Sequence, residues 1–323
     1  MLVTGGAGFV GANLVAELVR RGHRVSLVVK PTTDLWRLAG VASETIEIQT
    51  GDLSRAGDAL RVVEATGPEC IVHCATRGAY PGQSGLLDIV EANVVGFARL
   101  LEAAAVSGCP QVINTGSSSE YGAAGAGPSE ADAAQPNSIY AASKAWCSAV
   151  AQRSIEDVGV VVTTLRLYSV YGYFEEPSRL MARVCAYGLL GRYPPMARPD
   201  IVRDYVWIED VIRAYLAVLE GEAPAASELF NVGSGEETRL DEVMAAAGRV
   251  FGLTGAPAWG DYPERRWETE RWFANRDKIS RRHGWAPTVG IDDGLRRMGS
   301  WLEGRPTLRD RYTAACELEA SGG

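Results

Sequence analysis

The first eleven residues constrain the fold more than any other stretch. "MLVTGGAGFVG" is a short apolar strand run, followed by glycines at 5, 8 and 11 and then by a helical pattern, "FVGANLVAELVRRG". In that pattern Val10, Leu14 and Leu18 recur every four residues and share one helix face, and Gly22 supplies a stop. A strand-to-helix turn of this kind needs backbone without side chains. The free N–H groups and the dipole of the helix N-terminus can then face an anion such as a pyrophosphate. A glycine triplet alone is a weak signal. After a first strand and at the start of an amphipathic helix, it predicts a dinucleotide site formed by Gly5, Gly8, Phe9, Val10 and Gly11.

The rest of the first half keeps the same alternation. "RVSLVV", "TIEIQTGD", "ECIVHCA", "QVINTG" and "VVVTTLRL" read as strands, and helical patterns fall near 56–66, 86–107 and 138–157. Strands alternating with helices imply right-handed βαβ units, and so an α/β fold with a doubly wound, Rossmann-type parallel sheet. After about residue 170 the pattern loosens into loops such as "GRYPPMARPD" and the aromatic, charged "APAWGDYPERRWETERW". These are expected to form a smaller C-terminal substrate-binding lobe over 169–204 and 234–315. The cofactor lobe would comprise 1–168 plus a returning segment at about 205–233 that carries the helix "IEDVIRAYLAVLEG". The end, 316–323, reads as a flexible tail. Strand one begins at Met1 and is unusually short, which suggests a misassigned start or a few missing N-terminal residues.

Composition serves mainly to exclude. A formal net charge of −8 over 323 residues lacks the basic footprint of a nucleic-acid binder. No apolar run reaches the roughly 18 residues of a membrane span. Six cysteines without a CxxC pair read as reduced thiols in a cytoplasmic protein, and no spacing calls for a metal.

The end of the second strand bears on the cofactor. A carboxylate for the ribose 2′-hydroxyl is usual there, but "VSLVVKPTTD" offers Val29 and Lys30. A cation at this point pairs with a 2′-phosphate and favours NADP(H). Read as a solvated strand end, it leaves NAD possible. Asp52, in "GDL", is placed to meet the adenine amine, with Leu53 and Ala75 beside it as cofactor contacts.

"SIYAASKAW" sets Tyr140 and Lys144 four apart on one helix face. A lone phenol titrates at about 10, but a neighbouring ammonium and a cationic nicotinamide ring stabilise a phenolate. Such a phenol can exchange a proton with a carbinol or carbonyl oxygen while hydride moves. Roughly twenty residues upstream a strand runs into "NTGSSSEYG", which carries Ser117, Ser118 and Ser119.

With "TGGAGFVG", "NTGSSSEYG", "YAASK", "RDYVWIEDV" and "FNVGSG" in this order and spacing, the chain resembles the extended short-chain dehydrogenase/reductases. This is the family of NAD(P)-dependent nucleotide-sugar epimerases, dehydratases and 4-ketoreductases, and the resemblance covers nearly the whole chain. It implies a sheet of about seven parallel strands, a nucleotide-diphosphate sugar as partner, and the catalytic set Ser117, Tyr140 and Lys144, the last two also touching the cofactor. Asn93, in "VEANVVG", matches the helix asparagine that supports the cofactor site. Family members often form homodimers through the helices near 86–107 and 138–157. Ile89, Phe97, Leu100, Leu101, Ala145 and Ala149 permit that here, and would equally suit helices packed on their own sheet.

The dehydratases of this family carry carboxylates, usually Asp-Glu, directly after the catalytic hydroxyl. Here those positions are Ser118 and Ser119, and neither is an acid–base group near neutral pH. Glu120 is next, but strand alternation points it the other way. Dehydration is therefore disfavoured. "GSSSEYG" looks like the "GSSxEYG" of 4-keto-6-deoxyhexose reductases, and with Lys30 it leads to the expected activity: NADPH-dependent reduction of a nucleotide-linked 4-keto-6-deoxyhexose. An NAD-dependent nucleotide-sugar 4-epimerase is the alternative. A non-catalytic NADP-binding sensor or scaffold is disfavoured because Ser117, Tyr140 and Lys144 are all present. "RLYSVYGYFEEPSRL" has Ser169 where the family commonly reads Asn and Tyr173 where it reads Pro, which suggests a different sugar or base. By position Arg203 and Arg265 or Arg266 match the family's diphosphate arginines. Arg179, Tyr80, Ser118 and Ser119 are further expected substrate contacts.

Overall fold

In the computed structural model of the chain, residues 1–41, 43–80, 82–83, 85–122, 127–222, 224–260 and 271–321 are described. In chain order the first lobe contains β1 (Leu2–Thr4), α1 (Phe9–Arg20), β2 (Val25–Val29), β3 (Ile46–Thr50), α2 (Asp58–Thr66), β4 (Cys70–His73), α3 (Leu86–Ile89), α4 (Gly96–Val106), β5 (Gln111–Ser117), α5 (Ile139–Val158) and β6 (Val161–Leu167). Then follow β7 (Ser169–Tyr171), α6 (Leu180–Leu189), β8 (Val202–Arg203), β9 (Tyr205–Trp207), α7 (Ile208–Leu219), β10 (Glu228–Val232), β11 (Thr238–Arg239), α8 (Leu240–Phe251), β12 (Arg271–Trp272), α9 (Asp277–His283), α10 (Ile291–Glu303) and α11 (Pro306–Ser321). Seven strands form one sheet in the order β10-β6-β5-β4-β1-β2-β3, every pair parallel. The chain moves outward from β1 in one direction and then in the other. The carboxyl ends of β1 and β4 therefore flank the crevice where such sheets bind ligands.

Strand alternation divides the core. Leu2, Val28, Ile71, Val112 and Val162 pack under α2, α4 and α5, while Val3, Leu27, Val72, Ile113 and Leu165 face α1 and α7. The second apolar cluster continues without a break into α6, α8 and α10, so the smaller lobe shares a core with the sheet. Two buried carboxylates from "RDYVWIEDV" fasten that lobe. Asp204 accepts bonds from the amides of Ser234, Gly235 and Ala274, and Asp210 from those of Thr288 and Val289.

Two expectations change. The tail beginning at 316 is helical through Ser321, with Tyr312 and Cys316 buried against the core; polar composition concealed an anchored helix. The single helix expected near 86–107 is interrupted by a π segment, Val90–Val95. Of the two roles left open for them, Ile89, Phe97, Leu100 and Leu101 take the second and are buried within the chain's own fold. The large apolar residues that α3 and α5 leave exposed are Leu86, Leu87, Ile139, Trp146 and Val158. Among the described residues, no helix is long and apolar enough to cross a membrane.

Candidate active site

The glycine turn closes on itself: the Gly8 amide donates to the Gly5 carbonyl at 2.9 Å. Gly5 has φ +67, and a side chain there would meet the Ala75 backbone at 2.5 Å. A Cβ at Gly11 would lie 2.2 Å from the Gly5 oxygen. Glycine is thus required at both places, and α1 begins at Phe9 with no side-chain cap at its N-terminus. Its first amides are available for an anion. Gly5, Gly8, Phe9, Val10 and Gly11 all line one cavity of about 1330 Å³, with Ala75 and Leu53. A backbone cradle at a helix N-terminus, beside a cavity of this size, fits a dinucleotide pyrophosphate.

The same cavity is lined by Ser117, Ser118, Ser119 and Tyr140. The Ser117 and Ser119 hydroxyls are 2.7 Å apart. Glu120, which follows them, does not line the cavity. It is fully buried and bonded to Arg166 at 2.8 Å. Burial pushes its carboxyl up, against the pull of Arg166 and the Ser117 amide. Lys144 and Asn93, expected to touch the cofactor, are buried beside the cavity-lining Tyr140 helix turn and Thr115, at 3% and 1% exposure. The Lys144 ammonium donates to the Thr115 carbonyl, and the Thr115 hydroxyl is 2.6 Å from that of Tyr215. Asn93, in the π segment, bonds the Arg77 amide and carbonyl and the Ser143 hydroxyl, and Ser143 donates to the Tyr140 carbonyl. One residue thereby ties the loop after β4 to the turn of α5 that presents Tyr140. Beneath them, His73 shares a 2.8 Å bond with Thr4, and burial together with the Lys144 charge pushes its imidazole down to about 3.

At the β2 end, Lys30 lies 2.8 Å from Asp52, and both line the cavity. Burial alone would raise the Asp52 carboxyl, but the Lys30 and Ser54 bonds outweigh that and hold it below the usual range. The lysine charge expected to meet a 2′-phosphate is therefore already balanced within the chain.

Several lining residues carry no sequence signal. Arg37 donates to the Phe174 carbonyl and to Glu176, and Asn13 of α1 donates to the adjacent Tyr173 carbonyl. Phe174 adopts a left-handed φ of 66°, uncommon for a bulky residue. Arg37 and Arg311 stack on Trp36 at 4.4 and 4.3 Å, so α11 reaches back to this rim. Arg311 lies 274 positions from Arg37, and no local pattern could have joined them.

Tyr80, Ser169, Arg179 and Arg203 also line the cavity, as do Tyr168 and Tyr205. A Cβ at Gly78, two residues before Tyr80, would lie 3.3 Å from the Tyr140 Cβ, so that loop passes the root of the tyrosine side chain. Burial pushes the Glu175 carboxyl up to about 8, opposed by Arg179, whose nearest nitrogen is 3.9 Å away. Arg203 stands near the Trp272 ring at 5.9 Å. Arg265 and Arg266 fall outside the described residues.

Comparison with known proteins places the chain in a family. UDP-glucuronate 4-epimerase 3 of Arabidopsis thaliana is 26% identical, over 94% of this chain and 76% of that protein. The dTDP-glucose 4,6-dehydratase of Streptomyces griseus is 29% identical, over 93% of each chain. The solved structure of a Thermus thermophilus UDP-glucose 4-epimerase in complex with NAD matches with a TM-score of 0.82 at 27% identity, covering 94% of this chain and 99% of that one. Residues 1–233 match the model of the NAD dependent epimerase/dehydratase family, and the chain, an oxidoreductase or epimerase working with a nicotinamide cofactor, belongs to it.

Proposed function

We propose that this protein is a nucleotide-sugar 4-epimerase that retains a nicotinamide dinucleotide. The carrying observation is the composition of one cavity wall. Ser117 and Tyr140 share the cavity with the glycine turn, and positions 118 and 119 supply hydroxyls where dehydration would need carboxylates. Such a wall can exchange a proton at a carbinol oxygen, whereas the hydroxyls at 118 and 119 cannot take a proton from the neighbouring carbon. Bound in the cradle, the cofactor would supply hydride removal and return at that carbon. Ser117 holds the sugar oxygen, Tyr140 moves its proton, and Lys144 and Asn93 keep the phenol and its helix turn in place from behind.

The Lys30–Asp52 pair removes the main reason to prefer NADP, and the relatives above include epimerases of UDP-sugars, one solved with NAD. The ketoreductase remains the second reading, favoured by one observation: besides Lys30, two further cations, Arg37 and Arg311, line the cavity. The exposed Leu86, Leu87, Ile139 and Trp146 of α3 and α5 support a homodimer through these helices.

The test begins with mass spectrometry of cofactor released from the purified protein. Nucleotide hexoses are then followed by NMR for interconversion at C4. Bound NAD with epimer exchange and no net change in the nicotinamide absorbance band is expected. NADPH consumption with a 4-keto-6-deoxy nucleotide sugar, without epimer exchange, would replace this reading by the reductase.

A further inference from the structure

We infer that Glu120, held by Arg166, is the positioning residue of Ser117, and that "GSSSEYG" is built to seat its carboxylate beneath the reacting hydroxyl. The inference rests on Ser117 acting at the substrate, as proposed above. One Glu120 oxygen accepts the Ser117 amide at 2.8 Å, and the other accepts Arg166 Nε at 2.8 Å. The Ser117 hydroxyl in turn accepts the Ser119 amide at 3.2 Å, closing a reciprocal capping box around the turn Ser118–Tyr121. Backbone and hydroxyl of Ser117 are thus fixed from opposite ends of one short turn.

The neighbouring residues make room for this arrangement. A Cβ on Gly116 would meet the Glu120 carboxylate and the Thr164 methyl at 2.8 Å each and the Arg166 side chain at 3.2 Å, so glycine leaves the space in which the carboxylate folds back under the strand. Gly116 also stands directly opposite Arg166 in the β5–β6 register. The Arg166 guanidinium lies over the Tyr121 ring at 4.4 Å, and the Tyr121 hydroxyl donates to Asn231 of β10. Ser117 is in this way referenced to three adjacent strands of the sheet. The one acid in the motif acts through the serine and touches neither substrate nor cofactor.

Replacing both members of a buried ion pair by apolar residues of similar size is commonly tolerated by the fold, which provides the test. Glu120→Leu/Arg166→Met is compared with Glu120→Gln/Arg166→Met, which restores an acceptor for the Ser117 amide, and with Ser117→Ala as reference. The Leu/Met protein is expected to lose about 10- to 100-fold in kcat, approaching Ser117→Ala, with cofactor affinity and KM within about threefold of wild type. The Gln/Met protein should recover most of kcat. Gly116→Ala, which keeps both charges but displaces the carboxylate, should reproduce the kcat loss and serves if the Leu/Met protein does not fold. Wild-type kcat in either the Leu/Met or the Gly116→Ala protein, with Ser117→Ala impaired, overturns the inference. An unimpaired Ser117→Ala instead overturns the reading of Ser117 on which it rests.

Discussion

Adding one methyl group at Gly11 or at Gly8 should separate folding from cofactor binding. At Gly11 the new Cβ would sit 2.2 Å from the Gly5 oxygen, 2.8 Å from the Gly5 carbonyl carbon and 2.9 Å from the Gly6 Cα. All three are backbone atoms of the closed turn, so no side-chain rotation relieves the clash, and α1 must lift away from β1. Overpacking of this kind costs about 1–3 kcal/mol and occasionally more; the depth of this overlap puts Gly11→Ala at the upper end. At Gly8 the Cβ meets only the Gly5 oxygen, at 3.1 Å, and the backbone at φ −80°, ψ 179° accepts any residue. Gly8→Ala should therefore cost less than about 1 kcal/mol. Its methyl group nonetheless projects where the pyrophosphate must approach the helix N-terminus.

With an unfolding entropy of about 2.1 cal/mol/K per residue, a chain of 323 residues shifts by roughly 1.5 °C per kcal/mol. Thermal melts of cofactor-stripped protein should then show Gly11→Ala lower by about 4–5 °C and Gly8→Ala lower by at most about 1.5 °C. Calorimetric titration with NAD should show the reverse ranking per degree lost, with Gly8→Ala at least about tenfold weaker than wild type. A Gly11→Ala melt indistinguishable from wild type would refute the steric argument. Undiminished dinucleotide affinity in Gly8→Ala would refute the placement of the pyrophosphate.

Tyr140→Phe should lower kcat by about 10²- to 10⁴-fold while leaving cofactor affinity unchanged; substantial residual turnover in steady-state assays would assign the proton to another group. His73, pushed down to about 3 when folded, stabilises the native state fully above its ordinary pKa of 6.5 and progressively less as pH falls from there toward 3. Between about pH 6 and 4, urea titrations of wild type should lose on the order of 1 kcal/mol per pH unit more than those of His73→Asn; parallel curves would mean that the imidazole is hydrated. Leu87→Glu with Trp146→Glu should convert a dimer to a monomer by light scattering without lowering the melting temperature of the fold, and an unchanged mass at every concentration would remove α3 and α5 as the interface.

Local pattern carried much of the architecture. The strand–turn–helix opening, the order of elements to β6 and the returning α7 follow from periods of two and nearly four residues, and the parallel sheet follows from their alternation. Periodicity could not register the π segment around Asn93, because the pattern on either side is equally helical. Nor could it show that the last helix is tied down before it ends: Tyr312 and Cys316 are single anchors in a polar stretch, and their partners come from Glu175 and Tyr187. In the site, Ser117, Tyr140 and the glycines were legible because each belongs to a motif whose spacing reflects its geometry. Lys30 was legible as a residue, but its pairing with Asp52, in the loop after β3, was not.

The sequence by itself determined the glycine turn, the common helix face of Tyr140 and Lys144, and the absence of carboxylates at 118 and 119. Each of these depends on residues within a few positions of one another, where chain geometry is fixed by the element they occupy. Only the tertiary structure decided which groups stand behind them: Arg166 beneath Glu120, Tyr215 against Thr115, and Arg311 on Trp36. These pairs lie 46, 100 and 275 positions apart. They meet because the order of strands in the sheet, and the shared core that folds the C-terminal helices back over it, bring distant segments to one crevice.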